Sequence, residues 1–139
     1  MKAVAWLVFP LAAFALSACS DSITNPTPTP RTIAVSATGS FGPSGTVSIT
    51  NVAGSNSNLT ATLIGFDANT DHSVAIVLGS CAAPGATSMT LANITASSSG
   101  QATIPSTSVP DALAAAGYAI VFYSGTSSTG NIIACGDLG

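Results

Sequence analysis

The sequence predicts an all-β domain, folded as a sandwich or flattened barrel, on three observations. Apolar residues alternate with polar ones over short runs, eight such runs occur, and glycine, asparagine, serine and proline separate them at short intervals. In the run 46–50, Val47 and Ile49 face one side of a strand while the hydroxyl side chains between them face the other. Strands with one apolar face bury it when two such faces pack together.

Eight strands are predicted in order along the chain. Their ranges are 32–37, 46–52, 60–66, 73–78, 88–95, 101–105, 118–124 and 131–135. Phe122 and Tyr123 are neighbours on the seventh strand and must face opposite sides, so we expect one in the core and the other at the surface.

One short connector helix is predicted between the sixth and seventh strands. Pro110 and Asp111 suit the first turn of a helix. The alanine-rich run 112–116 favours helix, and Gly117 can end it. At about two turns, the segment would join strands rather than form a domain.

Residues 1–18 predict an export signal that is not part of the domain. A charged start at Lys2 precedes the apolar run 3–16, which Pro10 interrupts. The run is shorter than the about 20 apolar residues that cross a bilayer. We therefore expect it to be cleaved.

The tetrapeptide Leu16-Ser17-Ala18-Cys19 ends this segment and resembles the bacterial lipobox. The resemblance implies cleavage before Cys19 and attachment of a diacylglycerol to its sulfur, usually with an acylated amine. Two or more acyl chains anchor a protein stably, whereas one holds it marginally. Ser20, in place of aspartate, favours the outer membrane under the sorting rule of enteric bacteria. An ordinary signal peptide with a coincidental cysteine is the alternative.

Residues 19–31 are predicted to hold the lipidated cysteine and a tether rich in proline and threonine. Pro26, Pro28 and Pro30 disfavour both helix and sheet, so the segment extends from the membrane. Residues 32–139 then form one β-sandwich domain. We expect this domain in the periplasm or at the cell surface.

The charges limit the possible partners. Arg31 is the only lysine or arginine after residue 18, against five aspartates in the same part of the chain. So few cations cannot neutralise a row of phosphates, which excludes nucleic acid, or bind anionic headgroups. The expected contacts are the membrane, through the lipid anchor, and an envelope protein or small ligand that the sequence does not identify.

The three cysteines divide into one for lipid and two for a disulfide. With Cys19 acylated, Cys81 and Cys135 remain. An even pair in an exported domain predicts a disulfide bond.

Three segments of the domain carry a family resemblance: 45–49 (GTVSI), 72–85 (HSVAIVLGSCAAPG) and 132–138 (IIACGDL). They resemble the copper-zinc superoxide dismutase superfamily and the related bacterial domains grouped with the chordin-type (CHRD-like) repeat. In those enzymes a cysteine in an Ala-Cys-Gly end pairs with one just after the histidine strand, and Cys135 and Cys81 occupy these places. The resemblance implies an eight-stranded Greek-key sandwich.

The resemblance also implies where copper would bind. The enzymes carry H-x-x-H-x-H on the middle strand, but here only His72, at a framework position, remains; Ala75 and Val77 fill the two ligand positions. Tyr123 occupies the position of another copper ligand, which comes later in the chain. The segment that corresponds to the zinc loop, 82–94, contains no histidine or aspartate. Since a copper site needs several imidazoles, we expect no metal, no cofactor and no dismutase activity.

Two other kinds of site would involve the lone histidine. A Cys81–His72 nucleophile would need a thiolate that the disulfide removes. Residues 67–71 (DANTD) begin like a calcium loop, but His72 replaces its glycine and Leu78 its bidentate glutamate.

The favoured interpretation is a non-catalytic, lipid-anchored module of the bacterial cell envelope that serves interaction or structure. The alternative is a metal-binding or enzymatic domain with a relocated site around His72, Asp67 and Asp71.

Overall fold

A computed structural model describes residues 28–52 and 54–139. The predicted signal peptide, Cys19 and the tether up to residue 27 lie outside them. The described strands are β1 (Arg31–Ala37), β2 (Ser44–Asn51), β3 (Asn56–Ile64), β4 (Asp71–His72), β5 (Val74–Ser80), β6 (Ala83–Thr90), β7 (Ile94–Thr95), β8 (Ala102–Pro110), β9 (Tyr118–Tyr123) and β10 (Ile132–Asp137). This part of the chain contains no helix long and apolar enough to cross a membrane.

The prediction of an all-β fold is confirmed. Eight strands form one curled antiparallel sheet in the order β6-β5-β9-β10-β1-β2-β3-β8, and β4 pairs with β7 beside it. The sheet curls into a half-barrel, so its two halves face each other as the layers of a sandwich.

The core lies between these two halves. Val47, Ile49 and Leu59 enter it from β2 and β3, while Ile76 and Phe122 enter it from β5 and β9, and all five are at most 1% exposed. The alternation predicted for β2 is confirmed. Burial of such side chains contributes roughly 2 kcal/mol each to folding.

Strands β5 and β9 are buried on their other face as well. A second group of side chains, here called the outer cluster, packs there: Ala75, Val77, Ala119, Val121, Tyr123 and Cys135, with Cys81 and Ile132 against it. Phe122 and Tyr123 do face opposite sides, but Tyr123 is only 5% exposed. The expectation that one of them lies at the surface was wrong, because Tyr123 packs among the side chains of the outer cluster.

The tip of the β5–β6 hairpin covers the outer cluster. Cys135 pairs with Val121, which pairs with Ala75, so Cys135 lies two strands away from β5. Cys81, in the turn after β5, nevertheless has its Cα 5.6 Å from that of Cys135. The hairpin tip reaches this position only by folding back across β9.

The predicted connector helix is not confirmed. Residues 111–117 form hydrogen-bonded turns, in which the Leu113 amide donates to Pro110 O at 2.9 Å and the Ala114 amide donates to Asp111 O at 3.2 Å. Helix nucleation is unfavourable, and a segment this short adds too few bonds beyond the first turn to offset its cost.

Two strands extend beyond the prolines at which sequence patterns would end them. β6 includes Pro84, and β8 continues from Ala102 through Pro105 to Pro110. Both are edge strands of the sheet. A proline is tolerated there because its missing N–H need not pair.

The sheet has an entry end and a far end, which we define by β1. At the entry end, β1 begins and the Arg31 guanidinium donates hydrogen bonds to the carbonyls of Ala114 and Leu138. At the far end, β1 stops; loops 38–43, 65–70 and 124–131 gather there, because antiparallel strands alternate in direction. The two ends therefore carry different residues.

Gly79→Ala is expected to destabilise the protein by about 2 kcal/mol. Gly79 has a φ of 101°, and an added Cβ would lie 2.5 Å from the carbonyl oxygen of Ala83. The hairpin tip would have to move off the outer cluster. Urea unfolding of the oxidised chain measures the loss, and Gly125→Ala is the control because its Cβ would meet nothing within 4 Å. Equal midpoints for the two variants would contradict the prediction.

Candidate functional site

The three positions that the family resemblance assigns to copper come together in the outer cluster. Ala75 and Val77 are two residues apart on β5 and share a face, and their partners on β9 are Val121 and Ala119. Tyr123 packs in the same cluster. Ala75, Val77 and Tyr123 are respectively 0%, 1% and 5% exposed. The place is occupied by packed side chains.

These side chains do not fit a copper ion. A methyl group and an isopropyl group offer no lone pair, and one phenol cannot replace several imidazoles. Within the described ranges, the one group of three potential donors whose atoms lie within 4.8 Å of one another is Cys81, Cys135 and Asp137. Its two sulfurs are bonded to each other.

The disulfide predicted between Cys81 and Cys135 is present, and it closes the outer cluster from the side of the hairpin tip. Asp137 supports it, since its Oδ1 accepts a hydrogen bond from the Cys81 amide at 2.6 Å. The bond thus holds together β10 and the turn after β5.

His72 is buried, with a hydrogen-bonding partner for each ring nitrogen. Nδ1 lies 2.8 Å from the carbonyl oxygen of Tyr123, which can only accept, so Nδ1 carries a proton and donates. Nε2 lies 2.7 Å from Thr70 Oγ1. The ring also lies against Phe66, with centroids 4.6 Å apart. This environment is that of a histidine that joins β4 to the end of β9.

The residues of the alternative site do not converge. Asp71 Oδ1 accepts a hydrogen bond from Thr95 Oγ1 at 2.6 Å, across the β4–β7 pair. Asp67 is exposed, and its backbone carbonyl accepts from Thr70 Oγ1. In the described chain, the donor atoms of Asp67, Asp71 and His72 do not form a group within 4.8 Å.

The far end of the sheet holds a cleft that was not predicted from the sequence. Its volume is about 290 Å³, and its lining includes Phe41, Pro43, Phe66, Asp67, His72 and Ile133. Phe41 is 97% exposed, the most exposed large apolar side chain among the described residues. A phenylalanine inside the glycine-rich stretch 39–45, outside any alternating pattern, was the one sequence signal for this site.

The fold defines the class of the protein as an antiparallel β-sandwich with a disulfide across one face. Neither a family model nor a curated protein matches the chain. Among solved structures, the chain is similar to the crystal structure of the clock protein EA4, with a TM-score of 0.56 and 13% identity over 80% of this chain and 94% of that one. At this identity the similarity shows the fold alone.

Proposed function

We propose that the protein is an exported bacterial lipoprotein whose β-sandwich is a non-catalytic module of the cell envelope, serving interaction or structure. The observation that carries the proposal is the outer cluster. At the positions where the resemblance to the dismutase superfamily implies metal ligands, Ala75 and Val77 pack against β9 and are at most 1% exposed. A scaffold without its ligands can still present surfaces and loops.

The superoxide dismutase-like, CHRD-like Greek-key assignment belongs to this proposal. It is supported by the disulfide between Cys81 and Cys135 and by three connections that cross the sheet, from β3 to β5, from β6 to β8 and from β8 to β9. The gathering of Ala75, Val77 and Tyr123 in one cluster also supports it, since ligands of one ion must lie together.

The lipid anchor rests on the lipobox-like tetrapeptide ending at Cys19. Labelling cells with radioactive palmitate, followed by membrane fractionation, tests it. The wild-type chain is expected in the outer-membrane fraction with label, and Cys19→Ser without label. Label that persists in Cys19→Ser would refute this part of the proposal. A pull-down from intact cells would then identify the envelope partner.

Copper titration tests the absence of catalysis. The purified, intact chain is expected to take up no stoichiometric copper and to show no superoxide dismutation above the rate of free copper in the same buffer. Tight binding of one copper per chain together with turnover would refute the proposal.

The alternative, a relocated metal or catalytic site, is separated by His72→Gln. We expect this variant to lose about 2 kcal/mol of stability, because it leaves the buried backbone carbonyl of Tyr123 poorly paired. We expect no change in metal uptake. The relocated site would be supported if metal uptake or an activity disappeared in His72→Gln while the urea midpoint stayed unchanged. Asp71→Asn is the companion variant, since it keeps an acceptor for Thr95 but removes the charge.

A further inference from the structure

We propose that the cleft at the far end of the sheet binds a small organic cation of the alkylammonium class, held between the carboxylate of Asp67 and the ring of Phe41. This cleft is distinct from the outer cluster, and binding there does not depend on the lipid anchor.

Two loops form the wall of the cleft, and a glycine lets them approach. Loop 38–43 follows β1 and carries Phe41, while Gly65 follows β3. Gly65 has a φ of 94°, and an added Cβ would lie 3.1 Å from the carbonyl oxygen of Gly42. Pro43 is buried at the base of the first loop, and the Phe66 amide donates to the Gly100 carbonyl at 3.1 Å. The close approach of Gly65 to Gly42 places the two loops side by side, and the Phe66 hydrogen bond fixes the second loop to Gly100.

The two phenylalanines of the cleft play different parts. Phe66 is 7% exposed and packs on the ring of His72, so it belongs to the floor. Phe41 is 97% exposed and is not part of either buried cluster. The face of such a ring attracts a cation, whose interaction with it is strongest when the cation leaves water.

The charges at the far end favour a cation over an anion. Asp67 is exposed at the cleft and lines it, and no lysine or arginine is among the lining residues. Asp71, on nearby β4, adds a second negative charge. Arg31 is the only lysine or arginine after residue 2. It lies at the entry end, where it donates hydrogen bonds to the Ala114 and Leu138 carbonyls. A cleft with charge of one sign concentrates ligands of the other.

The volume of the cleft and the hydrogen bonding of His72 both favour binding of a ligand over its chemical conversion. A volume of about 290 Å³ is at the lower limit of ligand sites and suits a molecule of the size of choline. Both nitrogens of His72 have partners within the fold, so the imidazole forms a wall of the cleft. The ligand would be recognised by its charge and its alkyl groups.

Titration of the intact, isotope-labelled chain with choline in a maltoside detergent tests the proposal by NMR. Choline is expected to shift the amide resonances of residues 38–43 and 65–70. The uncharged tert-butyl analogue of choline is expected to bind about ten-fold more weakly, since it has the same shape without the charge that attracts the carboxylate and the ring. Acetate, an anion, is expected to cause no shift. Equal binding of choline and its uncharged analogue, or shifts confined to other loops, would overturn the proposal.

Matched variants assign the two contacts. We expect Asp67→Asn to weaken choline binding about ten-fold and Phe41→Ala to weaken it about five-fold. Asp111→Asn is the charge control, because it lies at the entry end and its amide oxygen can still accept from Ser57. Leu78→Ala, 53% exposed at the same end, is the control for an exposed apolar side chain. Binding that falls equally in variants and controls, or in none of them, would contradict the assignment.

The outcome of the choline experiments is independent of the outcome of the copper and lipid experiments. Copper in the outer cluster, or a chain without lipid, would refute the earlier proposal and leave choline binding at the far end unchanged. Conversely, a cleft that ignores choline would leave the non-catalytic, anchored module as it stands.

Discussion

Removal of the disulfide in the variant Cys81→Ala/Cys135→Ala is expected to lower the free energy of unfolding by about 4 kcal/mol. The bond joins positions 54 apart in sequence, so its loss restores much conformational freedom to the unfolded chain. For a domain whose whole stability is about 5–15 kcal/mol, this is the difference between a folded and a marginal protein.

A second, local effect should accompany the loss of stability. The bond fixes the hairpin tip over the outer cluster, where Ala75 and Val121 are not exposed at all. Without it, we expect faster hydrogen exchange of the β5 and β9 amides than of the β2 and β3 amides, because the latter strands do not lie under the tip. Uniform acceleration across all four strands would show that the bond acts on the unfolded state alone.

Reduction of the wild-type chain provides the control for this prediction. A non-thiol phosphine reductant should bring its urea midpoint to that of the double variant, and the same reductant should leave the double variant unchanged. If the reduced and oxidised wild-type chains unfold at the same urea concentration, the disulfide contributes nothing and the prediction is wrong.

Patterns of adjacent residues in the sequence predicted most of the large strands. Val47 and Ile49 alternate with hydroxyl residues, and this pattern alone predicts a strand with one buried face, as found in β2. The disulfide also followed from counting cysteines, because Cys81 and Cys135 are the pair that remains after Cys19. Both inferences use information that is local or compositional.

The errors come from tertiary contacts that no local pattern contains. Tyr123 was expected at the surface if Phe122 lay in the core, but it packs in the outer cluster and is only 5% exposed. The two-residue strand β4 (Asp71–His72) forms only because β7 lies opposite it. Residues 111–117 have good helix propensity, yet form turns, one of whose carbonyls accepts from Arg31.

The cleft was missed for a related reason. Phe41 and Asp67 are separated by two strands in sequence, and only the antiparallel pairing of β2 and β3 brings their loops to one end of the sheet. A glycine-rich loop with one aromatic residue is consistent with many structures. What identifies the site is the exposure of that ring beside a carboxylate, which is a property of the folded chain.

Placing histidines at Ala75, Val77 and Tyr123 together is expected to create a copper site in the outer cluster. The side chains at these positions already pack in one cluster, so three imidazoles there would converge on one ion. We expect the triple variant to bind copper(II) about a hundred-fold more tightly than any of the three single-histidine variants. The hydrogen bond from His72 should survive the substitution at Tyr123, because it goes to the backbone carbonyl of that residue and not to its side chain.

The metal-free triple variant should be less stable than the wild type by about 3 kcal/mol, since larger and polar groups replace buried apolar ones. Copper should restore part of this loss, because an ion that binds only the folded chain stabilises it. Calorimetric titration measures affinity, and thermal unfolding with and without copper measures the linkage. The single-histidine variants are the controls, because each buries an imidazole without offering a second ligand. If the triple variant binds copper no better than they do, these positions do not surround a common point, and the case for a lost metal site in this sandwich fails.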